Sequence, residues 1–266
     1  MSAPVSKGTA LITGASTGIG AVYADRLAKR GYDLILVARS EQKLCEVAAQ
    51  LKSTDRKIET IAADLTKKED VQRVAQRLSS DPTITALVNN AGAASVGQLL
   101  DAKIDDLESM IHLNVTALTR LALAALPGFV ARKNGLIINI ASIVALAPEL
   151  LNGTYSGTKA YVVNFTQALK KEVEGKGVTV QAVLPGVTAT PMWEKAGRPV
   201  QHLPSEMVMT AEDMVDASLA GLDQHELITI PSLPDIADWE KFEAARKALA
   251  PNLSRQKPAP RYGIRG

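Results

Sequence analysis

Cysteine and histidine are scarce in the 266-residue chain, with Cys45 as the single cysteine and three histidines. A single cysteine cannot form an internal disulfide, and the opening residues MSAPVSKG lack the charged and apolar regions of a secretory signal. His112, His202 and His225 do not have the spacing of metal ligands. We therefore expect a reducing, cytoplasmic location, an inert Cys45 and no metal site.

The chain also has no excess of charge of one sign and no long uninterrupted apolar run. Lysine and arginine number 30 against 28 acidic residues, which gives a formal net charge of +2. This balance creates no field that favours nucleic acid or an anionic membrane as the main partner. The longest apolar stretch, GLIINIASIVALAPELLNG, is interrupted by Asn139, Ser142, Pro148 and Glu149. We expect that it does not span a membrane.

Apolar residues make up 46% of the chain, enough for the core of one large α/β domain. Short aliphatic or β-branched runs alternate with segments of helical periodicity. The strand candidates are residues 9–13, 33–38, 57–63, 85–90, 135–141, 178–185 and 227–230. The helix candidates are residues 18–30, 40–52, 67–79, 105–131, 154–174 and 211–222. This alternation predicts an α/β fold: a doubly wound, Rossmann-type, seven-stranded parallel sheet with helices on both faces.

The pattern changes after Pro231, where a short helical segment precedes a tail rich in proline and basic residues. We interpret residues 1–232 as one domain, and residues 233–266 as a helix and a basic arm. The arm is either mobile, solvated or pinned to a neighbouring subunit. Its basic residues are Arg255, Lys257, Arg261 and Arg265. Nucleic-acid binding through the arm would be steeply salt dependent, and the near-neutral net charge does not favour it.

A glycine-rich turn follows the first predicted strand, where TGASTGIG places Gly14, Gly18 and Gly20 ahead of a helix. Glycine permits positive φ and the close approach of a ligand, and a helix N-terminus offers unpaired N–H groups and the positive end of a dipole. These properties suit a phosphate ester, which favours a nucleotide over the alternative of a flexible loop. The spacing differs from the commoner dinucleotide fingerprint and from the Walker motif.

The segment YSGTK places Tyr155 and Lys159 four residues apart, on one face of a predicted helix. A nearby ammonium favours the phenolate and can lower a tyrosine pKa of about 10 by about 1 to 3 units. Such a pair is suited to general acid–base catalysis near neutral pH. The alternative is an ordinary amphipathic helix with the tyrosine on the core and the lysine in solvent.

Polar residues also follow the other predicted strands, where a doubly wound sheet binds its ligands. They are Arg39 and Ser40, Asp64, the segment NNAG at 89–92, Ser142, and the segment PGVTAT at 185–190. Each alone is compatible with an ordinary turn or helix cap. Together with TGASTGIG, Asn114 and YSGTK, their order and spacing resemble the short-chain dehydrogenase/reductase family over residues 7–230.

This resemblance implies an NAD(P)-dependent oxidoreductase in which Tyr155 exchanges a proton with the substrate oxygen. It further implies that Lys159 modulates the pKa of Tyr155 and binds the nicotinamide ribose. Ser142 would hold and polarise the carbonyl, and Asn114 would support a water that leads from Lys159 to solvent. Hydride transfer to a carbonyl builds negative charge on oxygen, which the hydroxyl groups of Tyr155 and Ser142 can stabilise.

The resemblance also implies a set of cofactor-binding residues in the domain 1–232. Those that cradle the pyrophosphate are Gly14, Ser16, Thr17, Gly18, Ile19 and Gly20. Those around the adenosine are Asp64, Leu65, Asn90, Ala91 and Gly92. Those near the nicotinamide are Tyr155, Lys159, Pro185, Gly186, Thr188 and Thr190.

The residues at the end of the second predicted strand indicate which of the two nicotinamide cofactors, NADPH or NADH, is preferred. Relatives that take NAD have an acidic residue there, whereas this chain has Ala38, followed by Arg39 and Ser40. A guanidinium binds a phosphate through two charge-assisted hydrogen bonds, and the serine hydroxyl adds a third. We therefore expect NADPH to be preferred over NADH, and the enzyme to act as a reductase. The alternative is a solvated Arg39 without this role.

The substrate is constrained only by a predicted apolar flap near residues 188–210. The apolar residues of the flap are Met192, Trp193, Leu203, Met207, Val208 and Met209. We expect Ser142, Tyr155, Met192 and Trp193 to contact an apolar carbonyl compound or secondary alcohol. A non-catalytic sensor or scaffold that binds NADP(H) is the alternative, and the intact set of Ser142, Tyr155 and Lys159 argues against it. The family resemblance and the broad apolar stripe of residues 105–131 predict a homodimer or homotetramer.

Overall fold

The computed structural model describes residues 7–95, 97–195, 197 and 199–264. The opening residues used to judge a signal sequence, up to Ser6, and Arg265 of the basic arm lie outside the described residues. The chain divides into two compact units, Met1–Pro231 and Ser232–Gly266.

Seven parallel strands form one sheet in the first unit, in the order β3-β2-β1-β4-β5-β6-β7. The strands are β1 (Thr9–Thr13), β2 (Asp33–Ala38), β3 (Ile58–Ala62), β4 (Ile84–Asn89), β5 (Gly135–Ile140), β6 (Val178–Val183) and β7 (Ile228–Thr229). The order reverses between β1 and β4, where Leu11 pairs with Leu87. The predicted doubly wound, seven-stranded parallel sheet is thus confirmed. All residues of β1 and β5 are buried, which explains why their apolar runs are continuous rather than alternating.

Helices connect the strands and cover both faces of the sheet. They are α1 (Gly18–Lys29), α2 (Glu41–Gln50), α3 (Lys68–Ser80), α4 (Ile104–Ile111), α5 (Leu118–Arg132), α6 (Gly153–Glu172), α7 (Pro191–Lys195) and α8 (Ala211–Asp223). The second unit contains the helix α9 (Ile236–Ala248). The segment predicted as one helix over 105–131 differs from expectation, because a π-helical turn, His112–Ala117, separates α4 from α5. The short helix α7 was not expected from the periodicity.

The core has two halves, one on each face of the sheet. On one face, side chains from α1 and α8 pack on the strands; this half includes Tyr23, Leu27, Leu36, Val88 and Met214. On the other face, side chains from α3 and α5 do so; this half includes Leu11, Leu78, Leu87, Leu121 and Phe129. Because both faces are covered, ligands reach the sheet at its edges, and the polar residues after the strands lie at the carboxyl edge.

The helical segment Ile104–Arg132 is long and apolar enough to cross a membrane by length and composition, with a mean hydropathy of 1.4. In the 18-residue stretch of this segment that has that hydropathy, 39% is buried. Leu121, Ala125 and Phe129 pack within the core. Ile111 and Leu123 remain 41% and 56% exposed. Part of the predicted apolar stripe therefore faces away from the core.

The second unit has no buried residue in its described part, Ser232 to Ile264. The rings of Trp239 and Phe242 on α9 stack with their centroids 5.4 Å apart. Large apolar side chains are exposed in this unit at Ile236, Phe242, Leu249, Leu253, Tyr262 and Ile264. The unit therefore has no apolar core of its own.

Candidate active site

The turn between β1 and α1 requires glycine at three positions. Gly14 and Gly18 have φ values of +66° and +54°. A methyl group on Gly14 would lie 2.7 Å from Asn90 Nδ2, and one on Gly20 would overlap the Gly14 carbonyl oxygen. Within the described chain, the N-cap residue Thr17 makes no side-chain capping bond, so the first N–H groups of α1 stay available. A phosphate could approach these groups closely, so this turn fits the pyrophosphate of a dinucleotide.

Asn90 builds the wall of this turn from the neighbouring strand β4. Its Nδ2 donates to the carbonyl oxygens of Thr13 at 2.8 Å and Gly14 at 3.2 Å. The backbone N–H groups of Asn90 and Ala91 both donate to Thr13 Oγ1 at 3.0 Å. The side-chain N–H groups of Asn90 thus hold the turn in shape.

Asn114 joins the segment after β4 to the helix α6. It lies in the π-helical turn and is 2% exposed. Its Oδ1 accepts from Ala93 N at 2.9 Å, and its Nδ2 donates to Ala93 O at 2.9 Å and to Thr158 Oγ1 at 3.1 Å. Thr158 in turn donates to the carbonyl oxygen of Tyr155 at 2.7 Å. Thr158 was missed in the sequence analysis, although it lies within the YSGTK segment.

Three of the side chains predicted to be catalytic are buried near the start of α6 and just after β5. Tyr155, Lys159 and Ser142 are 5%, 6% and 9% exposed. Lys159 Nζ donates to Ile140 O at 2.9 Å and lies 5.9 Å from the centroid of the Tyr155 ring. Ser142 Oγ makes a long bond of 3.4 Å to Pro185 O. The structure therefore brings the predicted acid–base pair together, as its four-residue spacing requires.

The pKa of Tyr155 is shifted in the direction opposite to the expected one. Burial raises it to about 12, and a hydrogen bond with Ser142 opposes the increase. Burial also lowers the pKa of Lys159 to about 8. The physical reason is that burial removes water from both charged forms, while the Lys159 ammonium is directed to the Ile140 carbonyl. Tyr155 is therefore protonated at neutral pH.

The end of β2 presents a basic side chain and a hydroxyl group. Arg39 is exposed, and no hydrogen bond or ion pair with another described residue holds its guanidinium. Ser40 caps α2, where its Oγ accepts from Lys43 N at 3.3 Å, so its hydroxyl proton can still be donated. Ala38 is 8% exposed. Both Arg39 and Ser40 are thus available to an anionic ligand.

The residues after β3 are held by local hydrogen bonds. Asp64 Oδ1 accepts from Thr66 N at 3.1 Å and from Thr66 Oγ1 at 2.8 Å, and Asp64 N donates to Asp70 Oδ2 at 2.7 Å. Leu65 is 5% exposed and packs in the core. Leu65 thus belongs to the core at this edge of the sheet, and its predicted contact with the adenine stays a prediction.

The segment after β6 closes on the glycine turn. A methyl group on Gly18 would lie 3.0 Å from Thr190 Cγ2. Thr188 is buried, donates to Gly186 O at 3.3 Å and pairs in parallel with Met209, which fixes the two ends of the predicted flap to each other. Half-buried Met192 and Trp193 lie on α7, within that flap.

These residues fit a dinucleotide along the carboxyl edge of the sheet. The glycine turn leaves space that any side chain would fill, and a methyl group on Gly92 would lie 3.2 Å from Asn114 Oδ1 and 3.6 Å from Lys159 Nζ. Among the described residues, no group of three or more His, Cys, Asp or Glu side chains could hold a metal ion. The site therefore combines an anion-binding turn with buried hydroxyl and ammonium groups.

In comparisons with known proteins, the chain is similar to dehydrogenases and reductases. A model of the short chain dehydrogenase family matches residues 8–201. A solved structure of a short-chain dehydrogenase from Sphingobium yanoikuyae in complex with NADPH is 44% identical, with a TM-score of 0.92, over 95% of this chain and 98% of that one. The bulky-bulky ketone specific alcohol dehydrogenase from Comamonas testosteroni is 40% identical, with a TM-score of 0.88, over 96% and 98%. A very-long-chain 3-oxoacyl-CoA reductase of Bos taurus is 34% identical over 246 residues, which cover 89% of this chain and 78% of that protein.

Proposed function

The chain belongs to the short-chain dehydrogenase family, and from this membership we propose that it is an NADPH-dependent carbonyl reductase of bulky apolar ketones. The resemblance inferred from the sequence motifs is confirmed, and with it an oxidoreductase that binds a nicotinamide cofactor and a small-molecule substrate. The choice of NADPH, the reductive direction and the class of ketone are the proposal.

In the proposed reaction, Tyr155 donates its phenolic proton to the carbonyl oxygen of the substrate. Ser142 donates a hydrogen bond to the same oxygen and stabilises the charge that develops there. The nicotinamide supplies the hydride when it is bound. Lys159 and Asn114 hold the tyrosine helix and the segment after β4 in place.

The observation that carries the choice of NADPH is the end of β2, with Ala38, a free Arg39 guanidinium and Ser40. Each charge-assisted hydrogen bond contributes about 1.5 to 3 kcal/mol, so loss of Arg39 should weaken NADPH binding by roughly tenfold to a hundredfold or more. The matched structure from Sphingobium yanoikuyae holds NADPH, which agrees with this choice.

Titration calorimetry with both cofactors tests the proposal. We expect the parent to bind NADPH more tightly than NADH, Arg39→Ala to lose most of that preference, and Ala38→Asp with Arg39→Ala to reverse it. Arg56→Ala is the control, because Arg56 precedes β3 at the opposite edge of the sheet. Equal affinities of the parent for the two cofactors would overturn the choice of NADPH and the inferred direction.

The class of substrate is proposed from the surroundings of Tyr155. The buried side chains of Leu107, Met110 and Val144 pack in a cluster with it, and small residues, Ala93 and Ala94, border that cluster. Apolar walls next to small side chains suit a ketone with two large substituents. The related alcohol dehydrogenase from Comamonas testosteroni is specific for bulky-bulky ketones.

A turnover screen tests this class, followed at the nicotinamide absorbance with NADPH. Ketones with two large apolar groups should be reduced faster than small ketones of the same electronic character. Absence of turnover with every carbonyl compound would favour the alternative, a non-catalytic sensor or scaffold that binds NADP(H).

We also propose that the protein is cytoplasmic and that it forms a homodimer or homotetramer. The oligomer is supported by the apolar face of α4 and α5 that stays outside the core, with Ile104, Ile111 and Leu123 exposed. A second copy of the chain would cover this face. Sedimentation of the protein at micromolar concentration distinguishes an oligomer from a monomer.

A further inference from the structure

Asn152 lies directly before the helix that carries Tyr155 and caps its N-terminus. Its Oδ1 accepts from Tyr155 N at 3.0 Å. Its carbonyl oxygen accepts from Ser156 N at 3.2 Å and from Ser156 Oγ at 3.0 Å. Because the side-chain cap is on Tyr155 itself, Asn152 fixes the backbone of the proton donor.

The side-chain amide nitrogen of Asn152 donates hydrogen bonds to a segment that is distant in the sequence. Its Nδ2 donates to Ser95 O at 2.8 Å, to Ser95 Oγ at 2.8 Å and to Gly97 O at 3.2 Å. Ser95 and Gly97 follow β4, more than fifty residues earlier in the chain. One side chain therefore holds the segment after β4 and the start of α6 together.

Both segments expose large apolar side chains within a few residues of these bonds in the sequence. After Gly97, Leu99 and Leu100 are 56% and 93% exposed. Before Asn152, Leu146 and Leu150 are 37% and 55% exposed. These four side chains lie outside the core, on the two segments that Asn152 joins. Exposed large apolar side chains of this kind are typical of a surface that binds an apolar ligand.

The intervening contacts connect this surface to the catalytic tyrosine. Leu151 packs against the cluster that contains Tyr155, and so do Ala93 and Ala94. A displacement of the segment after β4 would therefore change the distance between the exposed leucines and Tyr155.

We propose that Asn152 is a positioning residue that sets both the phenol of Tyr155 and the apolar surface formed by Leu99, Leu100, Leu146 and Leu150, which contacts the bulky part of the substrate. The proposal rests on the proposed role of Tyr155 as proton donor. The oxygen of Asn152 orients the tyrosine, and its amide N–H groups orient the substrate surface, so the two roles can be separated.

Two substitutions separate them. Asn152→Ser keeps an oxygen that caps Tyr155 N but removes the donors to Ser95 and Gly97. Asn152→Ala removes both. Asn164→Ser is the control, because Asn164 is exposed on the same helix and the substitution is the same. Steady-state kinetics with NADPH and a bulky ketone are combined with hydrogen exchange of the peptide that contains Leu99 and Leu100.

We expect Asn152→Ser to raise KM for the ketone by about tenfold, from the loss of anchoring hydrogen bonds, while kcat and the affinity for NADPH change by less than about twofold. Exchange at Leu99 and Leu100 should become faster in the same variant. Asn152→Ala should show these effects and, in addition, a lower kcat and a displaced pH profile of kcat. Asn164→Ser should match the parent in all respects.

An unchanged KM together with unchanged exchange in Asn152→Ser would overturn the proposal, as would an Asn152→Ser protein that does not fold. Equal losses of kcat in the Ser and Ala variants would also overturn it, because the cap would then not be what orients Tyr155. Failure of the proposed function is distinguished by the parent, which would then not reduce any ketone, while the exchange result would still report on the bonds of Asn152.

Discussion

Replacement of Lys159 by methionine should make the cofactor-free protein more stable at neutral pH while it removes activity. Lys159 is 6% exposed, and burial lowers its pKa from 10.5 to about 8. Each pKa unit corresponds to about 1.4 kcal/mol, so the charged form costs the folded state about 3 kcal/mol. Methionine has a similar shape and no charge, but the hydrogen bond to Ile140 O, about 1 kcal/mol, is lost. We expect a net gain of about 2 kcal/mol at pH 7, or about 4 to 8 °C in Tm.

The pH dependence gives the sharper test of this reasoning. Below pH 8, Lys159 is protonated in both states, and the full cost is present. Between pH 8 and 10.5 the folded state has released the proton and the unfolded state still binds it, so the free energy of unfolding of the parent rises with pH. Tyr155, with its pKa raised to about 12, affects the free energy of unfolding only above about pH 10. There the unfolded state releases the phenolic proton while the folded state keeps it, so the free energy of unfolding falls with pH.

Urea unfolding followed by circular dichroism between pH 7 and 9.5 measures both effects. The parent should gain about 2 kcal/mol relative to Lys159→Met across this range. Lys170→Met is the control, because Lys170 is exposed on the same helix and should show neither effect. A Lys159→Met protein that is no more stable than the parent at pH 7, with the same pH slope, would refute the argument that burial of the charge is costly.

Two further substitutions follow from the site and the tail. Tyr155→Phe should leave the affinity for NADPH within about twofold but lower turnover by at least about a hundredfold, because only the proton is lost; single-turnover reduction at close to the parent rate would show that Tyr155 is not the acid. A chain that ends before Pro251 should keep its circular dichroism and cofactor affinity, because β7 ends at Thr229 and the described residues from Pro251 onward are all exposed. Any loss of subunit association should appear in sedimentation, and an unfolded truncated chain would contradict this prediction.

The sheet could be predicted because each strand has a local signal. Continuous runs such as Ala10 to Ile12 are buried on both faces, and the helices between them keep one apolar face. The site could be predicted at the level of residue position, because the carboxyl ends of parallel strands share one edge. Tyr155 and Lys159 are brought together by the period of one helix.

The features that escaped prediction depend on contacts between distant residues or on burial. The spacing of Tyr155 and Lys159 predicts their proximity, but not that burial raises the pKa of Tyr155. Asn152 has the residue type and place of a helix cap, but its bonds to Ser95 and Gly97 require the folded sheet. The apolar period of 105–131 is compatible with an unbroken helix, so the π-helical turn left no signal in it.

That turn constrains how the chain can change in length. A π-helical turn contains about one residue more than an α-helical turn, so α5 is rotated by roughly 100° relative to a continuation of α4. Deletion of a single residue between His112 and Ala117 would restore a regular helix, but it would turn Leu107 and Met110 out of step with Leu118 and Leu121. It would also move Asn114 away from Ala93, to which it is now joined by two hydrogen bonds. A change in chain length between residues 104 and 132 would therefore disturb the core and the site together, even where a substitution of an exposed residue would not.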